Sequence, residues 1–253
     1  MEQRKIEIMD TTLRDGEQTS GVSFSVSEKL TIAKLLLEEL KVDRIEIASA
    51  RVSDGEMRAV QKITEWASQN NFLDKIEVLT FVDEGKSIDW MLSTGAKVQN
   101  LLTKGSLNHL IHQLKKTPDQ HFSDIKKTIG LAQKNDIKTN VYLEDWSNGM
   151  RNSKEYVFEY LSFLATQPIE RILLPDTLGI LTPSETFQFI SEVRDKFPTI
   201  HLDFHGHNDY DLGVANAMEA VKAGINGLHL TVNGMGERAG NAPMASVIAV
   251  IND

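Results

Sequence analysis

Short apolar segments recur along the chain, and each is followed by a longer segment in which apolar residues return at helical spacing. The short segments are rich in β-branched residues, a composition typical of buried strands. Eight of them predict strands, at residues 5–9, 42–47, 76–82, 97–103, 138–144, 171–176, 201–207 and 227–233. The pattern therefore predicts eight consecutive strand–helix units.

Capping residues give several of the helix boundaries. Ser27 is the predicted N-cap of the helix after the first strand. Thr182 is the predicted N-cap of the sixth helix, with Pro183 in its first position and Glu185 at the capping-box position. Gly224 is predicted to end the seventh helix. The C-terminal segment begins an eighth helix.

Eight strands alternating with eight helices in 253 residues are the period of an α/β fold, the (β/α)8 TIM barrel. A doubly wound open sheet is the competing fold, but it has fewer strands and a glycine fingerprint after the first. The residues after the first predicted strand, TTLRDGEQ (11–18), contain no G-x-G-x-x-G motif. We therefore predict one TIM-barrel catalytic domain over residues 1–253.

Composition narrows the class of partner. The formal net charge is −9, which disfavours nonspecific nucleic-acid binding. Because the overall charge also repels anions, an anionic ligand needs local positive charge or a bound cation. The chain has no cysteine, which excludes disulfides, thiolate metal sites and a cysteine nucleophile. It also lacks a signal peptide and an apolar run of about 20 residues. These features predict a cytoplasmic protein without nucleic-acid or membrane partners.

The polar residues fall where a barrel enzyme carries its chemistry, at the C-terminal ends of the strands and in the loops that follow. Five loops contribute to this face. They carry Arg14 and Asp15, Glu144 and Asp145, Asp176 and Thr177, His205 and His207, and the glycine-rich segment 233–241.

His205 and His207 lie two residues apart on one strand, so their side chains share a face. They are either a metal-binding pair or two hydrogen-bonded histidines. Two imidazoles and a carboxylate suit Zn²⁺, Mn²⁺ or Fe²⁺, and Asp15 is the natural carboxylate because the first and last strands of a closed barrel are neighbours. Asn241 adds a fourth oxygen or only caps the last helix. Asp203, on the same face, is a candidate to orient a ligand histidine.

Several of the remaining rim residues also have more than one interpretation. Arg14 either forms a local ion pair with Asp15 or binds the oxygen of a substrate carbonyl. Glu144 is a general base, a support for another side chain, or a partner of a backbone amide. Tyr142 shares its strand face and is expected to line the barrel mouth. The glycines of 234–240 either let the backbone approach an anion or form an ordinary tight loop.

Three segments, in this order, resemble the acetyl-CoA-dependent 2-oxo-acid synthases of the DRE-TIM metallolyase superfamily, which include isopropylmalate, homocitrate and citramalate synthases. They are DTTLRDGEQTSGVSFS (10–25), HGHNDYDLGVANAMEAVKAG (205–224) and NGMGERAGN (233–241). The resemblance covers essentially the whole chain. It is strongest to bacterial citramalate synthases, through residues 48–53, 100–107 and 141–149.

The resemblance implies a role for each rim residue. It implies a divalent metal ion, such as Zn²⁺, Mn²⁺ or Mg²⁺, bound by Asp15, His205 and His207, with Asn241 in a more distant fourth position. Arg14 and Glu144 match catalytic residues, and Thr177 matches a residue that binds the substrate carboxylate. The 2-oxo acid, which Arg14 also contacts, is matched to a pocket formed by Leu79, Phe81, Leu102 and Tyr142.

The implied reaction is a Claisen condensation of acetyl-CoA with a 2-oxo acid by a cytoplasmic homodimer of branched-chain amino-acid biosynthesis. Bulky Leu and Tyr residues favour pyruvate, and hence citramalate, over 2-oxoisovalerate, the 2-isopropylmalate precursor; such discrimination is worth about 1–3 kcal/mol. Acyl-CoA lyases of the superfamily use a cysteine that this chain lacks. A catalytically incompetent metal-binding barrel is the other alternative, because family members carry linker and regulatory domains after the barrel, which these residues lack.

Overall fold

A computed structural model describes residues 5–253, and within them eight parallel strands close into a barrel. The strands are β1 (Glu7–Asp10), β2 (Arg44–Ser49), β3 (Ile76–Phe81), β4 (Val98–Lys104), β5 (Lys138–Glu144), β6 (Arg171–Asp176), β7 (Leu202–Gly206) and β8 (Gly227–Leu230). Each strand pairs with the next, and β1 also pairs with β8. The predicted TIM barrel and all eight predicted strands are confirmed.

Helices lie between the strands and cover the outside of the barrel. They are α1 (Val26–Lys34), α2 (Asp54–Gln69), α3 (Lys86–Thr94), the short α4 (Leu107–His109), α5 (Pro118–Lys134), α6 (Trp146–Asn152), α7 (Lys154–Leu164), α8 (Pro183–Lys196), α9 (Gly213–Lys222) and α10 (Met244–Asn252). The capping box at Thr182 and the positive φ of 93° at Gly224 confirm two predicted boundaries. Among the described residues, no helix has both the length and the apolar character that a membrane crossing requires.

The predicted start of α1 was wrong by two residues. Ser25, not Ser27, is the N-cap: its hydroxyl accepts from the N–H of Glu28, and the Glu28 carboxylate accepts from the N–H of Ser25 at 2.7 Å. In a capping box the N-cap residue lies three positions before its Glu or Gln partner, and only Ser25 has that spacing to Glu28. The spacing of Ser25 and Glu28 is visible in the sequence, so the correct N-cap could have been predicted.

Ser25→Ala is expected to lower the free energy of unfolding by about 1 kcal/mol, because the first turn of α1 loses its side-chain acceptor. Ser27→Ala is the matched control and is expected to stay within about 0.5 kcal/mol of the parent chain. Urea denaturation followed by circular dichroism measures both. A larger loss for Ser27→Ala than for Ser25→Ala would contradict the capping assignment.

The barrel interior is mostly polar below the site, whereas the outward faces of the strands pack apolar residues against the helices. Arg44 is buried near the N-terminal end of the interior, where it donates to Glu77 at 2.9 Å and to Asp203 at 2.5 Å. Burial by itself would raise the pKa of Asp203, but Arg44 and the neighbouring histidines outweigh it and hold this pKa well below its usual range. This paired charge cluster fills the space beneath the C-terminal face.

Candidate metal and substrate site at the C-terminal face

The first βα loop, residues 10–25, is anchored by a buried lysine. Lys29, on α1, is 1% exposed, and its ammonium group contacts the carboxylates of Glu17 at 2.6 Å and Glu56 at 2.5 Å. It also donates to the backbone oxygens of Leu13 and Ile47. A buried ammonium group needs this many partners to offset its desolvation. These contacts hold the loop against the barrel, and the loop carries the polar side chains of the site.

The structure brings Asp15, His205 and His207 together, and all three are buried. The two Nε2 atoms lie 3.3 Å apart, and the Oδ2 atom of Asp15 lies 3.5 Å from the first and 3.8 Å from the second. Ligand atoms about 2.1 Å from one cation at tetrahedral angles would be about 3.4 Å apart. Three donors of suitable chemistry thus converge at distances that fit a divalent ion.

The protonation states also suit a cation. Burial lowers the pKa of His205 and brings the pKa of His207 to about 4, although the Asp15 carboxylate opposes the shift, so both rings are neutral at pH 7. Burial alone would raise the pKa of Asp15, but Arg14 and the two histidines hold it well below its usual range. Two neutral imidazoles and one ionised carboxylate form a donor set that binds metal without first losing a proton.

Asn241 supports this cluster from the loop after β8. Its amide nitrogen donates to Oδ1 of Asp15 at 3.0 Å and to the backbone oxygen of Met235 at 3.0 Å. Its side-chain oxygen is buried and has no hydrogen-bond partner. Asn241 does not cap the last helix, since α10 begins after Pro243. Gly236 makes the approach possible, because a Cβ there would overlap the Asn241 amide.

Asp203 does not orient His205, contrary to the prediction. Its carboxylate binds Arg44 and the Nε2 atom of His229, and it also lies 3.0 Å from Nε2 of His201. Asp203 lies one interior layer below His205, where the buried guanidinium attracts it. The Nδ1 atoms of His205 and His207 have no hydrogen-bond partner.

Arg14 points into the site between two carboxylates. One guanidinium nitrogen donates to Asp15 at 2.6 Å, and Nε forms a short ion pair with Glu46. Burial would lower the pKa of Arg14, but these carboxylates raise it, so the group stays charged. Glu46 also accepts from Thr11 at 3.0 Å and from Asn100 at 2.6 Å. The side chain of Arg14 is therefore held in one orientation.

Glu46 was not among the predicted site residues, although the sequence of β2 carries a signal for it. Strand β2 reads RIEIAS, in which charged residues alternate with apolar ones. In a parallel strand that is covered by helices, this alternation places the charges inside the barrel. A charged residue at such a position requires a buried partner, and here the partner is Arg14.

A cavity of about 180 Å³ opens beside these groups. Its lining comprises Arg14, Asp15, Gln18, Leu79, Leu102, Tyr142, Glu144, Pro175, Thr177, His205, His207 and Glu237. Of the predicted pocket residues, Phe81 is absent from this lining and lies half-buried at the end of β3. The volume suits a small metabolite rather than a large cofactor.

Thr177 and Glu144 lie on the side of the cavity opposite the first loop. The hydroxyl oxygen of Thr177 accepts from the N–H of Asp145 at 2.8 Å, which leaves its proton free to donate to a ligand. Glu144 forms a short ion pair with Lys104, and its other oxygen lies 3.9 Å from Nδ1 of His109. Lys104 is a second residue that the sequence analysis missed.

The glycine-rich loop after β8 forms a tight turn that packs on the first loop. The N–H groups of Gly236, Gly240 and Asn241 are bonded to Thr19, Glu237 and Gly234, and the N–H of Glu237 lies 3.4 Å from Asp15. These four donors are already engaged by the protein. This favours the tight-loop interpretation over a backbone anion site.

The chain is similar to known proteins over nearly its whole length. The chain is 34% identical to 2-isopropylmalate synthase of Sulfurisphaera tokodaii over 98% of its length, and 33% identical to (R)-citramalate synthase of Methanocaldococcus jannaschii over 97%. It spans only 62% and 48% of those two proteins. The crystal structure of hydroxymethylglutaryl-CoA lyase from Pseudomonas aeruginosa shares the fold, with a TM-score of 0.74, 17% identity, and coverage of 98% of this chain and 85% of the lyase.

The family comparison covers nearly the whole chain. Residues 5–253 match the HMGL-like family, and this range contains the barrel, the first loop, the histidine pair of β7 and the glycine-rich loop. The chain belongs to the HMGL-like family.

Proposed function

We propose that this chain is an acyltransferase that condenses acetyl-CoA with a 2-oxo acid, with pyruvate as the preferred acid and citramalate as the product. The observation that carries the proposal is the convergence of Asp15, His205 and His207 beside Arg14 at the edge of a small cavity. The names of the relatives, 2-isopropylmalate synthase and citramalate synthase, support the same reaction class.

Asp15, His205 and His207 are the proposed ligands of a divalent cation, with Asn241 as a nearby oxygen donor. When bound, such an ion polarises a keto group and supplies positive charge to an anionic substrate in a chain of net charge −9. The guanidinium of Arg14 then stabilises the negative charge that develops on the keto oxygen. The free proton of the Thr177 hydroxyl is proposed to bind the carboxylate of the 2-oxo acid.

The carbon–carbon bond requires a base that removes a proton from the methyl group of acetyl-CoA. Glu144 is the candidate on this chain, and its ion pair with Lys104 fixes its carboxylate at the cavity edge. The resulting carbanion attacks the keto carbon, and the electron pair of the C=O π bond moves to the keto oxygen, which then takes a proton from solvent. Water hydrolyses the thioester to a carboxylate and releases CoA. A second cavity, of about 320 Å³, shares Arg14 and Gln18 with the first and gives the acyl arm an approach.

The choice of pyruvate rests on the apolar side of the cavity. Leu79, Tyr142 and Leu173 form a small cluster inside the barrel, separate from the main core, with Leu102 packed against it. We propose that these side chains leave room for a methyl group and crowd an isopropyl group, a difference worth about 1–3 kcal/mol. The alternative substrate is 2-oxoisovalerate, with 2-isopropylmalate as the product, and one relative is named 2-isopropylmalate synthase.

A panel of 2-oxo acids tests the proposal. The chain, with Mn²⁺, Zn²⁺ or Mg²⁺, is incubated with acetyl-CoA and pyruvate, 2-oxobutyrate or 2-oxoisovalerate, and free CoA is measured with a thiol reagent. Because the chain has no cysteine, the protein adds no thiol background. CoA release that requires both substrates, and is fastest with pyruvate, is the expected result. Cleavage of an acyl-CoA without a 2-oxo acid would favour a lyase instead.

Leu79→Ala is expected to narrow the preference for pyruvate over 2-oxoisovalerate by about tenfold, because it removes bulk where the longer substrate collides. Leu79→Met, which nearly conserves volume, is the control and is expected to keep the preference. The ratio of kcat/KM values measures both. An unchanged ratio in a folded Leu79→Ala variant would remove this side chain from the pocket.

A homodimer in the cytoplasm is also part of this proposal, since the resemblance implies both. Sedimentation velocity at several protein concentrations tests the dimer directly. A monomer at every concentration would contradict it without bearing on the metal ligands.

A further inference from the structure

Tyr142 is held from below by a buried histidine. Its hydroxyl group lies 2.8 Å from Nδ1 of His229, a residue of β8 that is 1% exposed. The other ring nitrogen of His229, Nε2, lies 3.1 Å from Oδ2 of Asp203, and that same oxygen accepts from Arg44. A continuous hydrogen-bonded column therefore runs from the edge of the cavity to the charge cluster at the base of the barrel.

The direction of the hydrogen bonds in this column follows from the chemistry of its members. The carboxylate of Asp203 only accepts, so Nε2 of His229 carries the proton of that hydrogen bond. In the neutral ring with its proton on Nε2, Nδ1 is an acceptor, and the hydroxyl of Tyr142 donates to it. The proton of Tyr142 consequently points away from the cavity. Tyr142 thus meets a ligand with its ring and an oxygen lone pair, and it does not serve as a donor.

The position of the Tyr142 ring decides the shape of the cavity. The guanidinium carbon of Arg14 lies 5.9 Å from the ring centroid, and the ring of His205 meets it edge-on at 6.0 Å. Leu79 and Leu102 complete the wall next to it. A small displacement of the ring would change the depth of the cavity at the place where the side chain of a 2-oxo acid is expected to lie.

The negative charge of Asp203, at the bottom of the barrel, is balanced without His229. Asp203 retains the 2.5 Å contact with Arg44 and the 3.0 Å contact with His201 without it. The Tyr142 hydroxyl, in contrast, has His229 as its only hydrogen-bond partner among the described residues. The ring of His229 also packs against that of His205, at 5.6 Å between centroids. The hydrogen bond that fixes Tyr142, however, comes from His229 alone.

We propose that His229 is a specificity-determining positioning residue, which acts through Tyr142 to set the depth of the 2-oxo-acid cavity. The ligand class rests on the proposed function. A fixed ring admits the methyl group of pyruvate and excludes longer side chains. A released ring moves or admits water, because its buried hydroxyl would otherwise lack a partner, and the discrimination falls.

The test compares His229→Leu, Tyr142→Phe and the double variant. Calorimetry measures binding of pyruvate, 2-oxobutyrate and 2-oxoisovalerate in the presence of Mn²⁺, and steady-state kinetics gives kcat and KM separately. Each single variant is expected to lose about tenfold in the preference for pyruvate over 2-oxobutyrate, mainly through KM and binding. The double variant is expected to lose no more than Tyr142→Phe alone, because both changes remove the same hydrogen bond.

His229→Asn is the conservative control, since its amide oxygen offers an acceptor near the position of Nδ1, and it is expected to keep most of the discrimination. Additive effects in the double variant, or unchanged discrimination in both single variants, would overturn the proposal. If the parent chain binds none of the three acids, the proposed function fails and this inference falls with it. If the parent chain discriminates and His229→Leu discriminates equally well, only the role of His229 is refuted.

Discussion

His207→Ala is expected to abolish stoichiometric binding of a divalent metal while the barrel stays folded. The change removes one of the three converging metal-ligand atoms. Nε2 of His207 lies 3.8 Å from Oδ2 of Asp15 and 3.3 Å from Nε2 of His205. Loss of a residue that only supports a metal ligand typically costs 10- to 100-fold in affinity, so loss of a ligand is expected to exceed about 100-fold. The Nδ1 atom of His207 has no hydrogen-bond partner, so the fold loses little.

Metal content after dialysis, together with calorimetric titration of Mn²⁺ and Zn²⁺, measures this loss. His112→Ala is the matched control, because His112 is an exposed histidine outside the site. The control is expected to bind metal as the parent chain does, and thermal unfolding checks that both variants fold. One equivalent of metal retained by His207→Ala would contradict the ligand assignment.

Arg14→Ala is expected to lower kcat by about 100- to 1000-fold, with a much smaller change in metal affinity. This magnitude is typical for loss of one group that stabilises a developing oxyanion. The guanidinium is charged and fixed by Glu46 and Asp15, so it needs no rearrangement when the charge develops. Turnover per bound metal, measured by CoA release, separates this effect from a loss of metal.

Arg14→Ala leaves the carboxylate of Glu46 without its guanidinium partner. Glu46 is fully buried, and removing one partner of a buried ion pair costs about 3–5 kcal/mol. Arg14→Ala combined with Glu46→Gln removes the uncompensated charge and is expected to recover stability but not turnover. Arg14→Lys retains a cation but loses the planar guanidinium that contacts both carboxylates. Its turnover is expected to lie between that of the parent chain and that of Arg14→Ala. Unchanged turnover in a folded Arg14→Ala variant would exclude Arg14 from the mechanism.

The order of the elements was predictable because it is encoded locally. Strands that are covered by helices on the outside read as short apolar runs, and helices read as a 3.6-residue repeat with capping residues at the ends. Thr182 and Gly224 acted as predicted. The last strand ended at Leu230 rather than at residue 233, because Asn233 has a left-handed conformation and the N–H of Val232 donates to Thr12. Such long-range contacts shorten elements without leaving a local signal.

The metal-site residues were predicted from the H-x-H spacing, the closure of the barrel and the resemblance, and the structure brings them together. The partners of the interior side chains were not predictable. Asp203 was assigned to His205 because both lie on one strand face, yet the interior places Arg44 and His229 nearer to it. Lys104 was likewise not predicted as a site residue, although it contacts Glu144.

The sequence by itself determined the barrel, the eight strands and the set of polar residues at one end, because periodicity, capping and strand-end position are properties of neighbouring residues. Only the tertiary structure decided which polar groups meet. Asn241 reaches Asp15 across 226 residues of chain, and Arg44 reaches Asp203 across 159. Inside a closed barrel every strand faces every other, so buried charges select their partners by distance and desolvation in three dimensions. That selection fixes Arg14 against Glu46 and Tyr142 against His229, and no local pattern encodes it.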